Sequence, residues 1–379
     1  MRAQPQATVL VSGYYGFGNA GDEAVLAGIL LQLSSLWPEA RYLVLSGDPE
    51  STYREHGVLA VDRSDLRAVS AALRESTLLI SGGGTLLQDV TSSRSLYYYL
   101  FLIMAAHWHG LPVAIYGQGL GPLRSMWNRF LTLRVLRLAQ LVILRDPAAY
   151  EQLLAWGFDE ERLCLGADPV VALEALDNAG IIDELYSQIE ESKAALYVSL
   201  RPWPSLTAHL PAVAAALDSL SQKAWQVVFI PFQFEADYPV CQACAELMRE
   251  PALVWETPLT FQEILTLFGE ADYCLGMRLH SLVFAAIQQV PMVGLAYDPK
   301  VAQFMGQLGL ENLVITLSGA PGECLDAQRL VTYLLWLEEK QEELMVQIKE
   351  KVGQMIARLR AATQHMGEQV GKSGTQSRM

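Results

Sequence analysis

The chain contains 379 residues, of which 51% are hydrophobic, and its 41 acidic residues outnumber 27 lysines and arginines to give a formal net charge of −14. This length predicts two domains, because single cores rarely grow beyond roughly 250–300 residues. The charge argues against a broad basic surface for nucleic acid. It leaves room for a small anionic ligand held by a few local arginines.

Cysteine usage and hydropathy exclude two further classes of protein. Five cysteines are too few, and odd in number, for a disulfide scaffold. The N-terminus lacks the apolar run of a signal peptide, and the longest apolar stretch, residues 96–106, is shorter than the ~20 residues that span a bilayer. We therefore expect a soluble cytoplasmic protein, with peripheral contact to the inner face of the membrane left open.

The first half of the chain alternates short apolar runs with helical patterns. Its predicted strands are residues 8–12, 42–46, 77–81, 112–116 and 141–144, and its predicted helices include 22–36 and 96–108. Continuously apolar strands separated by helices indicate a parallel sheet covered on both faces. Residues 1–172 are therefore predicted to form an N-terminal Rossmann-like domain.

The pattern restarts after an acidic stretch at residues 173–193, which we interpret as the connection between domains. The predicted strands of the second half are residues 196–200, 225–230, 252–255, 272–275 and 291–295. They indicate a second Rossmann-like domain over 194–327, facing the first across a cleft. Residues 328–366 have the apolar stripe of one long amphipathic helix, and the polar tail 367–379 is predicted to be disordered.

The first predicted strand ends in a glycine-rich segment that opens a helix. Gly16, Gly18 and Gly21 form a literal G-x-G-x-x-G, the pattern that receives a dinucleotide phosphate at a helix N-terminus. The acidic residue expected at the end of the second strand is displaced to Asp48. Asp22 lies in the first turn of this helix. Its position is explained about equally well by a functional role in the site and by a structural role in complementing the helix dipole.

Two more strand ends in the first half are rich in glycine. Gly83 and Gly84 follow the third predicted strand, and Gly119 follows the fourth. Glycine at a strand end permits either a tight turn or the close approach of a ligand. Packing turns would explain each segment singly, whereas all of them together favour a site for an extended ligand.

Basic side chains are predicted at the carboxyl ends of strands, where open α/β sheets bind their ligands. These residues are Arg145, Arg201, Arg278, His280 and Lys300. Arginine forks match the geometry of phosphate and carboxylate groups. Arg145 is also explained by pairing with a carboxylate. The set predicts a small, highly charged anionic substrate, with no metal and no cofactor required.

Seven short motifs occur in an order that resembles the polysaccharide pyruvyltransferase family, the bacterial ketal-forming enzymes of cell-surface polymers. They are residues 18–23 (GNAGDE), 81–85 (SGGGT), 117–122 (GQGLGP), 145–146 (RD), 199–201 (SLR), 277–281 (MRLHS) and 297–300 (YDPK). The resemblance spans roughly residues 8–310. It implies a GT-B-like fold, with a donor-side C-terminal domain and an acceptor-side N-terminal domain.

The resemblance also implies an activity, namely transfer of a pyruvyl group from phosphoenolpyruvate to a sugar, forming a ketal and releasing phosphate. The acceptor would be a glycan or a lipid-linked oligosaccharide of the cell wall, and in Gram-positive relatives the product anchors S-layer proteins. Donor binding carries over to Arg278, His280 and Arg201, and less directly to Arg145 and Lys300. We expect His280 to be a general acid or to assist the leaving phosphate, and Asp22 to be the base.

Three other functions remain open at this point. A GT-B glycosyltransferase would use the same fold with a nucleotide sugar as donor. An NAD(P)-dependent oxidoreductase would use the G-x-G-x-x-G segment, although the displaced acid argues against it. A non-catalytic polymer-binding protein of the same fold would not need the full basic set. The acceptor sugar, the regiochemistry of the ketal and the oligomeric state are not readable from the sequence.

Overall fold

The computed structural model describes residues 7–90, 93–190, 192–317 and 325–376, and the side chains through residue 370. The chain divides into two compact units. The first comprises Met1–Gly18, Asp22–Leu173 and Gln354–Met379, and the second comprises Asn19–Gly21 and Glu174–Gly353. Each unit is built around one parallel sheet flanked by helices.

The first unit contains seven parallel strands in the order β3-β2-β1-β4-β5-β6-β7. The strands are β1 (Thr8–Tyr15), β2 (Arg41–Ser46), β3 (Leu59–Asp62), β4 (Leu78–Gly82), β5 (Val113–Gln118), β6 (Leu141–Leu144) and β7 (Leu163–Leu165). The helices are α1 (Ala20–Leu36), α2 (Pro49–His56), α3 (Leu66–Glu75), α4 (Ser93–Trp108), α5 (Met126–Leu136) and α6 (Pro147–Ala155). The reversal of strand order at β1 and β4 is typical of a doubly wound sheet.

The second unit contains six parallel strands in the order β10-β9-β8-β11-β12-β13. The strands are β8 (Ala194–Ser199), β9 (Trp225–Phe229), β10 (Leu253–Val254), β11 (Tyr273–Gly276), β12 (Met292–Ala296) and β13 (Val314–Thr316). The helices are α7 (Ala179–Tyr186), α8 (Leu206–Ser221), α9 (Phe234–Leu247), α10 (Phe261–Leu267), α11 (Leu279–Ile287), α12 (Pro299–Gln307) and α13 (Ala327–Glu339). A last helix, α14 (Gln341–Gln376), follows and contributes to both units.

The sequence dictates these sheets through the apolar character of their central strands. Every residue of β4, β5 and β6 is buried, so these strands are covered on both faces and read as continuous apolar runs rather than alternating ones. The predicted α/β class, two Rossmann-like units with a long C-terminal helix, is confirmed. Among the helices of the described residues, none is long and apolar enough to cross a membrane.

Three strands of the structure were not predicted, and all of them lie at sheet edges. These are β3, β7 and β13, which contain three or four residues each. An edge strand has only one neighbour and is partly exposed, so it needs no long apolar run. In β3, for example, no residue is fully buried. The apolar pattern therefore detects all of the central strands and the edge strand β10, and misses the other three edge strands.

The C-terminal region differs from the prediction in two ways. The expected single helix over 328–366 is two helices, because the chain bends at Lys340 between α13 and α14. In the structure, α14 continues into the tail 367–379 as far as Gln376. Met366 is fully buried and anchors the helix, and extending an existing helix costs far less than nucleating one. Residues 377–379 lie outside the described chain.

The stretch predicted as the connection, 173–193, contains a helix. The division between the units falls after Leu173, and α7 lies within the predicted connection. Asn178 caps α7, since its side chain accepts a hydrogen bond from the amide of Ile181. A capped, partly buried helix makes this segment an ordered part of the second unit.

Candidate functional site

The carboxyl ends of three neighbouring strands in the second unit carry the predicted basic residues. Arg201 follows β8, Arg278 and His280 follow β11, and Lys300 follows β12. Strand β11 lies between β8 and β12, and β9 lies on the other side of β8. Because all of these strands are parallel, their carboxyl ends meet at one edge of the sheet, where open α/β sheets bind ligands.

Arg278 is held by a buried carboxylate from the segment after β9. Its Nε donates to Asp237 Oδ2 at 2.8 Å and its Nη2 donates to Asp237 Oδ1 at 2.5 Å, with a further bond from Nη2 to Gln233 Oε1 at 3.2 Å. Asp237 also accepts hydrogen bonds from the backbone amides of Phe232 and Gln233. The two hydrogen bonds to Asp237 fix the plane of the Arg278 guanidinium. They use Nε and Nη2, so Nη1 is the guanidinium nitrogen that Asp237 does not contact.

The start of α11 presents the groups that attract an anion. Arg278 is its N-cap, with an extended backbone and no side-chain cap. The Ser281 hydroxyl is turned back onto the carbonyl of Arg278 at 2.6 Å and does not cap the amides. Helix N-termini carry a partial positive charge and orphan N–H donors. The helix start can therefore accept a phosphate or carboxylate oxygen.

Arg201 and Lys300 converge on one aromatic ring. Arg201 Nη1 donates to the Tyr297 hydroxyl at 2.8 Å, and its guanidinium carbon lies 4.8 Å from the centre of the Tyr297 ring. Lys300 Nζ lies 5.4 Å from the same centre, and Trp203 packs against the ring at 4.7 Å between centroids. Among the described residues, neither Arg201 nor Lys300 forms an ion pair with a carboxylate. Their charges are thus left for a ligand.

His280 is half-buried in the second unit and is the second residue of α11, in the first turn of the helix. The backbone of Gly21, which groups with this unit, lies against its ring: a Cβ on Gly21 would be 2.0 Å from His280 Nδ1. Glycine is therefore required here by the imidazole itself, because any side chain would displace the ring. This explains the third glycine of the G-x-G-x-x-G segment without a dinucleotide.

In the first unit, Arg145 is satisfied internally. Its Nη1 donates to Asp168 Oδ2 at 2.7 Å and its Nη2 donates to the Thr85 hydroxyl at 3.0 Å. Both charged side chains are almost completely buried. Gly119 permits this arrangement, since a Cβ there would lie 3.2 Å from Arg145 Nε. Arg145 thus ties the ends of β4, β6 and β7 together, and its contact with substrate stays a prediction.

Asp22 lies beside the glycines that follow β4. A Cβ on Gly84 would be 3.5 Å from Asp22 Oδ1, an ordinary contact, whereas one on Gly83 would be 1.9 Å from Val25 Cγ1. Gly83 is also in the left-handed region, with φ of +76°. Close packing of α1 therefore accounts for Gly83, and a binding role for either glycine stays a prediction.

Tyrosines near Asp22 are poor candidates for a base. Burial, with a smaller contribution from the charge of Asp22, raises the pKa of Tyr99 to about 12 against the opposing effect of Arg63. Burial followed by the charge of Asp22 also raises the pKa of Tyr14. These phenols stay protonated near neutrality, so the carboxylate is the group in this cluster that can accept a proton.

The G-x-G-x-x-G segment is occupied by the protein's own side chains. The amide of Gly16, which would meet a phosphate, donates to Glu23 Oε1 at 2.7 Å. Asp48, the displaced acid, caps α2 by accepting from the amide of Ser51. Since a carboxylate takes the donor of the loop, the segment is a poor fit to a dinucleotide.

One group of side chains in the first unit has the composition of a metal site. Ligand atoms of Glu23, Glu55 and His56 lie within 4.8 Å of one another. His56 Nε2 already pairs with Glu23 Oε2 at 3.1 Å, and Glu23 bonds Gly16. These contacts explain the cluster as structural support for the β1–α1 turn.

The residues that sequence reasoning missed are the partners of the arginines. Asp237 and Asp168 hold Arg278 and Arg145, and Tyr297 orients Arg201. Asp237 is one acid in the first turn of α9 beside Glu235. The position of Asp237 in the sequence does not mark it as the partner of an arginine. Only its complete burial in the structure distinguishes it from other acidic residues.

Comparison with known proteins gives a family and a fold. The family model for polysaccharide pyruvyl transferase matches residues 19–299. Solved structures with similar folds include MnaA of S. aureus with UDP, at 12% identity over 91% of each chain with a TM-score of 0.64. No curated protein sequence matches the chain.

Two further structures are similar in fold over nearly all of the chain. UDP-GlcNAc 2-epimerase from Neisseria meningitidis bound to UDP-GlcNAc has 12% identity, covering 96% of this chain and all of its own (100%), with a TM-score of 0.62. Anabaena Alr3699/HepE in complex with UDP and glucose has 14% identity, covering 97% of this chain and 100% of its own, with a TM-score of 0.62. Identities this low show the fold alone.

Proposed function

The chain belongs to the polysaccharide pyruvyl transferase family, and from this premise we propose that it transfers a pyruvyl group from phosphoenolpyruvate to a sugar. The acceptor in this proposal is a sugar residue of a cell-surface polysaccharide or of its lipid-linked precursor. The product is a pyruvate ketal, and phosphate is released. The reaction would take place on the cytoplasmic side, in the synthesis of cell-wall polymer that anchors S-layer proteins.

The observation that carries the proposal is the set of cations at one edge of the second sheet. Phosphoenolpyruvate brings a phosphate and a carboxylate, with roughly three negative charges in total. Asp237 offsets the charge of Arg278, so the unbalanced charge comes from Arg201, Lys300 and the start of α11. Two cations, the Nη1 group of an oriented guanidinium and a helix N-terminus match one small trianion better than an extended neutral sugar.

The chemistry assigns roles to the individual residues. A proton is added to the methylene carbon of phosphoenolpyruvate, which gives an oxocarbenium-like centre at the neighbouring carbon. Two sugar hydroxyls then bond to that carbon as the C–O bond to phosphate breaks. One hydroxyl proton ends on the new methyl group and the other leaves with the phosphate. In this proposal His280 delivers the proton or assists the leaving phosphate, and Asp22 deprotonates the sugar.

The experiment that tests this function supplies phosphoenolpyruvate and a panel of sugar acceptors to the whole protein. We expect release of inorganic phosphate together with an acceptor whose mass rises by one pyruvyl group. We also expect phosphoenolpyruvate to raise the melting temperature, since a ligand that binds only the folded state stabilises it. Phosphate release without a pyruvylated product, or no effect of phosphoenolpyruvate on melting, would contradict the proposal.

A second candidate is a glycosyltransferase that uses a nucleotide sugar. It is favoured by the similarity in fold to structures solved with UDP and UDP-sugars. The same cations would then contact a diphosphate. Melting experiments with UDP- and GDP-sugars separate the two functions, because stabilisation by a nucleotide sugar and not by phosphoenolpyruvate would favour the glycosyltransferase.

A further inference from the structure

One stretch of this acidic chain has the opposite charge. Between Asp89 and Asp146 the sequence contains six arginines and no acidic residue. The rest of the chain therefore carries a formal charge of −20, against −14 for the whole. Arg145 is buried in its ion pair, and the other five, Arg94, Arg124, Arg129, Arg134 and Arg137, are exposed. The helices α4 and α5 thus lie in a stretch whose arginines are not balanced by acidic residues of the same stretch.

The same surface exposes large apolar side chains. On α4, Tyr97, Phe101 and Trp108 follow at helical spacing, and Trp108 is 73% exposed. On α5, Met126, Trp127 and Phe130 are exposed, at 83%, 64% and 51%. We call these six side chains, with the five exposed arginines, the α4–α5 face. Exposed apolar side chains are common singly, but a group of this kind marks an interaction surface.

The α4–α5 face is a single surface held by defined contacts. The Tyr97 hydroxyl donates to Asn128 Oδ1 at 2.9 Å, which joins the two helices beside Trp127. Asp89 accepts from the amides of Arg124 and Ser125 and fixes the approach to α5. The opposite side of α5 is buried, with Val135 and Leu136 in the core. The aromatic side chains are therefore presented on a rigid support.

Arginines and aromatic rings alternate on this face. The Trp127 and Phe130 rings lie 5.7 Å apart, and the guanidinium of Arg134 lies 5.8 Å from the centre of the Phe130 ring. Aromatic side chains favour the boundary between lipid headgroups and acyl chains, and arginines beside them pair with anionic headgroups. A nucleic acid would contact the arginines and stack bases on the rings, whereas Met126 offers a base neither a charge nor a stacking plane.

We propose that the α4–α5 face docks the protein onto an anionic lipid bilayer, with the aromatic side chains inserted at headgroup depth. Charge complementarity selects this occupant: the face is positive in a protein that anionic lipid would otherwise repel. Docking of this kind needs no membrane-spanning helix. The proposal stands on the surface alone and does not depend on which donor the second unit binds.

The test is co-sedimentation of the full chain with vesicles. We would compare phosphatidylcholine with a three-to-one mixture of phosphatidylcholine and phosphatidylglycerol, at low and high salt. We expect binding only to the anionic vesicles and weaker binding at high salt, because salt screens the headgroup charge. The double variant Trp127→Ser/Phe130→Ser should bind about a hundredfold more weakly, since it loses two inserted rings.

Charge variants separate the electrostatic part of the interaction. Arg129→Gln/Arg134→Gln should weaken binding by about fivefold for each arginine. The matched control is Leu66→Ser/Arg67→Gln, which removes one apolar and one basic side chain exposed on α3 of the same unit. This control should bind as the parent protein does, and melting curves of all variants should agree.

Three results would overturn the proposal. They are equal binding to both kinds of vesicle, equal losses in the control and in the face variants, and a dimer in solution that the face variants dissociate. The last result would assign the face to a second copy of the chain. None of them bears on the proposed transferase, because phosphate release from a soluble acceptor is measured without vesicles.

Discussion

The two units share a topology, but they treat charge at their strand ends in opposite ways. In the first unit, Arg145 is matched by Asp168, and Glu23 is matched by His56 and the amide of Gly16. In the second unit, Arg278 pairs with the carboxylate of Asp237, whereas Arg201 and Lys300 lie around Tyr297 and form no ion pair with a described carboxylate. A strand-end arginine is thus a structural element in one sheet and an available cation in the other.

This difference bears on where the anionic donor binds. A buried ion pair is already neutral, and pulling its arginine away would leave a carboxylate unpaired in the interior at a cost of several kcal/mol. A cation that contacts only a phenol and aromatic rings is released at much smaller cost. We therefore propose that the donor binds to the second unit, and the predictions that follow test this contrast, beginning with the largest effect.

The largest expected effect is on turnover in His280→Ala. Proton transfer by a positioned side chain contributes about 10²–10⁴-fold, so turnover should fall by that factor while phosphoenolpyruvate still raises the melting temperature. His109→Ala, which removes an exposed histidine of the first unit, is the matched control and should keep full activity. Turnover near that of the parent protein in His280→Ala would remove this residue from the mechanism.

The next effect is on stability in Arg145→Met. The substitution leaves Asp168 buried without its partner, which should lower the free energy of unfolding in urea by about 3–5 kcal/mol. Adding Asp168→Asn should recover much of the loss, because the amide carries no charge and can still cap the following turn through its side-chain oxygen. An unchanged free energy of unfolding in the single variant would show that the Arg145–Asp168 pair contributes little to stability. Arg145 would then not be a structural arginine, and the proposed difference between the two units would be wrong.

Arg201→Met should behave in the opposite way. It should weaken phosphoenolpyruvate binding by about 10–100-fold, the worth of one hydrogen bond to a charged group, and change the free energy of unfolding by less than about 1 kcal/mol. Arg249→Met, at an exposed position of the same unit, controls for the loss of one positive charge. If the two variants bind phosphoenolpyruvate equally well by calorimetry, Arg201 is not a donor ligand.

Much of the fold could be predicted from the sequence, because its determinants are local. Every residue of strands β5 and β6 is buried, so both strands can be recognised in the sequence as continuous apolar runs. Their alternation with helices indicates a parallel sheet. The edge strand β3 was missed because it buries little. The continuation of α14 beyond Met366 was not predicted, because the tail is polar and has no apolar periodicity.

The site was predictable only in part, for the same physical reason. Basic residues after strands could be identified because the rule that places them depends on adjacent sequence. Their partners could not, since Asp237 and Arg278 are 41 residues apart and meet only in the folded unit. The sequence left pairing with a carboxylate open for Arg145, and only the structure shows that Arg145 has a buried partner while Arg201 has none among the described carboxylates.

The smallest effect, and the finest test of the contrast, is expected in Tyr297→Phe. The substitution removes the hydroxyl that accepts from Arg201 Nη1 and keeps the ring that Lys300 and Trp203 contact. Losing one hydrogen bond that orients a cation should weaken phosphoenolpyruvate binding by about fivefold, equivalent to about 1 kcal/mol. In an Arg201→Met background the same change should have no further effect, because the bond is already absent. Additive losses in this double-mutant cycle would mean that Tyr297 contacts the donor directly instead of orienting Arg201.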